Sequence, residues 1–158
     1  MPVNEMKLYV PEILKEIKDK IKKPAKKKIL EKYRNDKTLK WILWGTFHPS
    51  CEWYFHVDLP EYTPDDAPYG HTVSNLNLEL KRLSIFRKGD PLGEKMTREK
   101  KTSVLIQILE SIHPEEAKVI RMMFRKIMKV GIDLKMLQEV WPEEFKEEKP
   151  EIKEEKNE

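Results

Sequence analysis

One short segment holds three residues whose side chains bind metals or act in catalysis: His48, Cys51 and His56, in the pattern His-x-x-Cys-x-x-x-x-His. Imidazole and thiolate are zinc ligands, and a structural zinc site usually has four of them. A fourth ligand would have to be Asp58 or His71, and no second closely spaced Cys or His pair accompanies the segment. The alternative is that the cysteine packs as a small apolar residue while the histidines lie at loop edges. The sequence favours this packing interpretation over a zinc site.

The same residues could also form a catalytic pair, with Cys51 as nucleophile and His56 as its base. Such a pair needs an orienting acid and a shaped pocket, and nothing in the sequence supplies them. Neither of the phosphate-binding glycine patterns, GxxxxGK and GxGxxG, occurs, and the chain has five glycines in all. We therefore predict a protein that is not an enzyme and that uses no cofactor and no metal.

Charge is distributed in four blocks along the 158 residues, although the net charge is only +3. Residues 1–50 have 13 Lys/Arg against 6 Asp/Glu, and residues 71–130 have 13 against 7. Residues 51–70 have 5 Asp/Glu and no Lys/Arg, and residues 131–158 have 5 Lys/Arg against 10 Asp/Glu. Two basic blocks around an acidic segment fit polyanion binding, and they also fit ordinary solvated helix faces.

The single cysteine excludes an internal disulfide and favours a reducing, intracellular compartment. No apolar run is long enough for a membrane span, and the first residues lack the pattern of a signal peptide. We therefore expect a cytoplasmic protein, and no membrane among its partners.

Apolar residues recur at helical spacing along most of the chain. The predicted inward-facing stripes are Val10, Ile13, Leu14, Ile17 and Ile21; Ile29, Leu30 and Tyr33; Leu39, Ile42, Leu43 and Phe47; Leu76, Leu80, Leu83 and Phe86; Val104, Leu105, Ile108, Leu109 and Ile112; Ala117, Ile120, Met123, Phe124 and Ile127; Leu134, Leu137 and Trp141. Helix starts and stops are predicted from N-cap residues, from prolines and from one glycine. They are N-caps at Asp36, Ser74, Thr97 and Asp133, a break at Pro24, a first-turn proline at Pro114 and a stop at Gly131.

Between residues 51 and 72 the helical period disappears and prolines become frequent. The fold class predicted from these patterns is all-α, a compact bundle of about seven helices with a long Pro-rich central loop. The bundle is predicted to span residues 1–145, and residues 146–158 are predicted to be a disordered charged tail. Aromatic residues of the third predicted helix and of the segment after it are expected to fill the core, and they are Trp41, Phe47, Trp53 and Phe55.

Two segments, Lys26–Val57 and Val104–Phe145, contain in order the motifs ILEKY, TLKWI, HPSCEWYF, FRKIMKVGID and EVWPEEF. In order and spacing they resemble the all-helical N-terminal DNA-binding domain of ATP-dependent DNA ligases of T-even-type phages. The chain is also similar to an uncharacterised small-protein family of tailed phages. The ligase resemblance implies a helical fold that grips the minor groove of duplex DNA. The catalytic Lys-x-Asp-Gly motif of ligases is missing, so we expect binding without ligation. Glu143 and Glu144 stand where the ligase pattern ends in apolar residues. We therefore expect weaker DNA contacts near the last helix.

The resemblance places the expected DNA contacts at three basic turns. We expect a stand-alone, non-catalytic module that contacts the phosphate backbone and the minor groove of double-stranded DNA. The expected contact residues are Lys23, Lys26 and Lys27; Arg87 and Lys88; Arg125, Lys126, Lys129 and Gly131.

A protein-interaction adapter is the alternative. Such an adapter would keep the fold without the DNA grip and would bind a phage or host replication, repair or transcription protein. The acidic loop and the acidic tail favour it. Its expected marker is an apolar groove surrounded by exposed tyrosines, namely Tyr54, Tyr62 and Tyr69.

Overall fold

The structure, a computed structural model, describes residues 9–56, 58–68 and 71–146. Over these residues the chain is all-α and compact, as predicted, with eight α-helices, one 3₁₀ turn and no strand beyond an isolated bridge between Trp53 and Arg87. The helices are α1 Val10–Lys18, α2 Lys23–Lys32, α3 Lys37–Phe47, α4 Leu76–Leu83, α5 Pro91–Glu94, α6 Arg98–Ser111, α7 Pro114–Arg125 and α8 Leu134–Val140, with the 3₁₀ turn at Ser84–Phe86. The predicted tail lies outside the described residues from 147 onward. No helix of the described chain is both long and apolar enough to span a membrane.

Side-chain caps fix where the helices begin. Three predicted N-caps are confirmed, each with a side-chain oxygen that accepts a hydrogen bond from a first-turn amide: Asp36, Thr97 and Asp133. The predicted cap at Ser74 is wrong by one residue. Asn75 accepts from the amide of Leu78 at 3.0 Å instead, while the Ser74 hydroxyl donates to Glu79 at 2.6 Å.

The aromatic segment after α3 crosses the bundle and enters its core. Trp53 and Phe55 are buried, and the Trp53 indole donates to the Gly45 carbonyl at 2.9 Å. The Trp53 ring also packs on Phe124 of α7, with 4.9 Å between centroids. Trp41 is only half-buried, as is Phe47, because α3 turns one side toward solvent. The prediction of an aromatic core is therefore confirmed for the two residues beyond the helix.

The Pro-rich loop runs without a helix through residues 51–56, 58–68 and 71–75, as predicted. Several contacts hold its described part against α6, and two of them involve carboxylates. Asp58 accepts from the Arg98 guanidinium at 2.7 Å, and the Thr63 amide donates to Glu110 at 2.7 Å. This guanidinium contact holds the pKa of the Asp58 carboxyl below its usual range.

Two residues assigned to inward-facing stripes face solvent instead. Ile21 is 93% exposed, because α1 ends at Lys18 and the chain is extended at Lys22, the N-cap of α2. Ile127 is 52% exposed, because α7 ends at Arg125, before the predicted stop at Gly131. Both stripe assignments were wrong for the same reason: each helix ends about one turn before its apolar period does.

We expect Gly45→Ala to destabilise the fold. An added Cβ would stand 2.7 Å from the Trp53 ring and 2.8 Å from the Met123 sulfur, so both buried neighbours must shift. Overpacking of this kind costs about 1–3 kcal/mol. Urea unfolding should show this destabilisation, and Lys37→Ala, at an exposed position of the same helix, should leave the free energy of unfolding nearly unchanged. Equal stability of the two variants would contradict the packing assigned to Trp53.

Candidate nucleic-acid interface

Lys26 joins the first predicted basic cluster to the third. Its ammonium donates to the Ile17 carbonyl at 3.0 Å and to the Val130 carbonyl at 2.8 Å, and the side chain is 7% exposed. Gly131, at φ +80°, lies so close that an added Cβ would meet the lysine side chain at 2.9 Å. Both residues thus have a structural role here: the lysine bridges the end of α1 to the turn after α7, and the glycine makes room for it.

Lys126 joins the third cluster to the turn after α3. It is the one non-glycine residue of the described chain with a positive φ, 58°, and it ends α7 in the left-handed conformation. Its ammonium donates to the carbonyls of His48 and Cys51, both at 2.6 Å. Partial burial lowers the pKa of this ammonium, against the opposing effects of Cys51 and Glu52.

His48 is part of the same junction. Its Nδ1 accepts from the Ser50 amide at 3.1 Å and lies 2.8 Å from the Ser50 hydroxyl. Since an amide only donates, the proton of the neutral ring is on Nε2, which lies 2.9 Å from the Lys146 carbonyl. The ring is 4% exposed and stacks on Trp44 at 5.0 Å. His48 lies where α3 ends and the loop begins, as expected, but its ring is buried and ties the end of the described chain to α3.

Cys51 is a buried packing residue, as predicted. Burial raises the pKa of its thiol, and the nearby Lys126 and Arg87 only partly oppose this effect. The thiol is therefore protonated at neutral pH and is a poor nucleophile. Within residues 9–56, 58–68 and 71–146, no group of three or more His, Cys, Asp or Glu side chains could hold a metal ion.

The second basic cluster reaches the same turn. The Arg87 guanidinium lies 5.0 Å from the centroid of Trp44, and the Lys88 amide donates to the Glu52 carbonyl at 2.8 Å. Residues 48–52 thus touch both the second and the third cluster, and Lys26 links the third cluster to the first. We call this connected set of turns, residues 18–28, 48–52, 87–88 and 125–131, the basic surface.

The predicted contact residues differ in whether their charged groups have acidic partners. Three lysines, the exposed Lys23 and Lys88 and the half-buried Lys27, have carboxylate neighbours: Asp133 at 3.5 Å, Glu52 at 3.9 Å and Glu139 at 3.0 Å, respectively. Arg125 and Lys129 are exposed and form no ion pair within the part of the chain that the structure describes.

Four further lysines of the basic surface meet the same condition and were not predicted as contacts. They are exposed and form no ion pair with any described residue: Lys18, Lys20, Lys22 and Lys28. The run KDKIKKPAKKK is visible in the sequence and could have indicated them. Ile21, which lies within this run, was assigned to the core. The lysines around it were therefore interpreted as the solvated face of a helix.

The comparisons with known proteins give a family. A model described as "Family of unknown function (DUF6433)" matches residues 13–130, which is most of the chain. The protein belongs to DUF6433. The match runs from α1 to Val130, the residue whose carbonyl accepts from Lys26. The three basic clusters of this DUF6433 protein therefore lie within the matched region, apart from Gly131. No curated protein matches the chain.

Lys126→Ala should lower the free energy of unfolding by about 1.5–3 kcal/mol, the usual effect of removing hydrogen bonds that involve a charged group. Lys126→Gly removes the same two bonds but relieves the left-handed strain, so its effect should be smaller by about 1–2 kcal/mol. Urea unfolding at neutral pH measures both. Lys129→Ala, three residues away and without an ion pair in the described chain, is the matched control and should behave like wild type. A Lys126→Ala variant with the same free energy of unfolding as wild type would argue against the bridging role.

The N-cap of α8 should give stability a pH dependence. The Met136 amide, with Lys23 as a smaller contributor, lowers the pKa of Asp133. A depressed carboxyl pKa stabilises the fold above the pKa of the unfolded chain, and the stabilisation disappears as the pH falls through the folded value. Asp133→Ala should therefore cost about 1 kcal/mol at pH 7, and this cost should decrease as the pH falls below about 3.9, the pKa of an unperturbed aspartate.

Asp133→Asn is the control for this cap, because asparagine caps as well as aspartate does. It should keep most of the stability at pH 7 and show no decrease of its own on acidification. Urea unfolding at several pH values compares the three proteins. A cost of Asp133→Ala that stays the same at all pH values would contradict the assignment to the ionised cap.

Proposed function

We propose that this DUF6433 protein is a non-catalytic module that binds double-stranded DNA without sequence preference. The observation that carries the proposal is the junction of the three basic clusters on one connected set of turns. Counterion release from phosphates provides affinity that does not depend on base sequence, and it requires only well-placed Lys and Arg side chains. The resemblance to the ligase DNA-binding domain supports the same proposal.

The carboxylates on the basic surface do not prevent phosphate binding. Lys23, Lys27 and Lys88 form exposed pairs of 3.0–3.9 Å with acidic side chains. Pairs of this kind contribute about 0–1 kcal/mol, so a lysine can exchange its carboxylate partner for a DNA phosphate at small cost. Lys26 and Lys126 are different, because their ammonium groups already bind carbonyls inside the protein. The proposed phosphate contacts therefore omit these two lysines and include the exposed cations around them.

The proposed setting is the cytoplasm of a host cell, where a phage-encoded protein would meet DNA in a reducing environment. The adapter alternative has weaker support, because the two marker tyrosines within the described residues are not exposed around an apolar groove. Tyr54 is half-buried, with the Lys101 ammonium 3.7 Å from its ring centroid. Tyr62 is half-buried against the core, and Tyr69 lies outside the described residues.

The test is the fluorescence anisotropy of a labelled duplex of about 30 base pairs, titrated at several salt concentrations. Wild type should bind with an affinity that falls steeply as salt rises. The double variant Arg125→Ala/Lys129→Ala should bind more weakly. Its salt slope should be shallower by about 2, one unit for each phosphate that the missing side chains no longer neutralise.

The matched control is Arg34→Ala/Lys37→Ala, which removes one Arg and one Lys at the turn between α2 and α3. That turn lies at the far end of α3 from His48, about 16 Å away for 11 residues. The control should retain both the wild-type affinity and the salt slope. Equal weakening in the two double variants would point to bulk charge rather than to the basic surface. No binding at low salt would refute the DNA function and leave the adapter as the hypothesis to test.

A further inference from the structure

The most exposed apolar side chain of the described chain lies within the basic surface. Ile21 is 93% exposed, in the turn between α1 and α2. A single exposed apolar residue is ordinary on a protein surface. This one is unusual in its surroundings, because every residue from Lys18 to Pro24 is exposed and four of the seven are lysines.

The charges around Ile21 are almost all positive and mostly unpaired. The turn has one carboxylate, Asp19, and Lys15 on α1 faces it at 3.4 Å. Of the nearby lysines, Lys23 approaches Asp133 at 3.5 Å. The others form no ion pair with any described residue, and they are Lys18, Lys20, Lys22 and Lys28. Ile21 thus lies in a turn whose lysines, other than Lys23, have no carboxylate partner among the described residues.

Hydrogen bonds fix the backbone of this turn to the rest of the protein. Lys26 binds the carbonyl of Ile17, just before the turn, and the carbonyl of Val130, in the turn after α7. The Lys20 amide donates to the Ile17 carbonyl as well, at 3.1 Å, which closes the end of α1. Ile21 is therefore presented on a backbone that is fixed to the rest of the basic surface.

We propose that Ile21 is a wedge that enters the minor groove of duplex DNA and partly unstacks one base step, while the surrounding lysines contact the phosphates on either side. The inference rests on the proposed DNA binding and adds its mode. Proteins that bend DNA from the minor groove insert apolar side chains, isoleucine among them, and surround them with basic residues. Contacts of the lysines with the phosphates hold the duplex against the Ile21 tip, and the inserted side chain kinks it toward the major groove.

Duplex DNA fits this tip better than a membrane surface or a protein groove does. Helices that lie in a membrane interface present a whole apolar face, whereas here one isoleucine stands alone and the helix has already ended. Protein interfaces have an apolar centre from which charged residues are depleted, whereas lysines surround this residue. Intercalation into DNA needs only a single apolar side chain next to phosphate-binding lysines. It requires neither the apolar helix face of a membrane-bound helix nor the apolar patch of a protein interface.

The test is bending of a short duplex with a donor and an acceptor dye at its two ends, together with anisotropy of the same duplex. Wild-type protein should raise the energy transfer on binding. Ile21→Ala should still bind with the wild-type salt slope, since no charge is removed, but with an affinity about tenfold lower and without the rise in energy transfer. Val73→Ala is the matched control and should bend DNA as wild type does. Val73 is 88% exposed and lies in the last part of the loop, before α4.

The outcomes separate the two proposals. No binding by any of the proteins refutes DNA binding itself. Binding without a change in energy transfer, or an Ile21→Ala variant that bends DNA as wild type does, refutes the wedge and leaves DNA binding intact. Sedimentation with phosphatidylcholine/phosphatidylserine vesicles is the competing assay. Vesicle binding that depends on Ile21, without any effect of Ile21 on DNA, would assign the tip to a membrane surface. Since Ile21 is exposed, its replacement should leave the thermal unfolding midpoint unchanged.

Discussion

A sequestered ammonium group must find hydrogen-bond acceptors, and this requirement organises the basic end of the molecule. Lys26 and Lys126 meet it with main-chain carbonyls, two for each lysine. Each lysine thereby ties together segments that no helix connects. The backbone that carries the exposed cations is held in place because these two lysines, one buried and one half-buried, bind carbonyls of neighbouring segments. Two of the side chains that the sequence predicts as DNA contacts are thus the ones that position the others.

The parts of the fold that local chemistry determines could be predicted. Asp36, Thr97 and Asp133 each precede an apolar period and cap the expected helix, because a cap depends only on residues within one turn. The length of each helix depended on more. Ile21 fits the helical period of α1, yet the chain leaves the helix three residues earlier, ahead of a proline. A hydrophobic period predicts which face is buried for as long as the helix lasts, and it does not determine where the helix ends.

The sequence predicted which turns form the candidate site. It did not predict which of their residues are buried and which are free to contact a ligand. Lys26 and Lys27 are neighbours of identical type, but one is buried against carbonyls and the other lies at the surface beside Glu139. The partners that decide between these roles lie about a hundred residues away in the chain, and a single sequence does not reveal them. His48 is a similar case, since its ring partner is the carbonyl of Lys146. Long-range hydrogen bonds therefore account for most of the difference between the expected and the observed site.

The separation between the bonded residues also affects how the chain folds. Lys26 bonds to a carbonyl 104 positions further along, and Lys126 bonds to one that precedes it by 78 positions. Contacts of such high sequence separation close large loops, and loop-closure entropy opposes them until most of the intervening chain is ordered. A partly folded or shortened chain would carry the same lysines without holding them in this arrangement. The geometry of the basic surface is therefore a property of the completed fold.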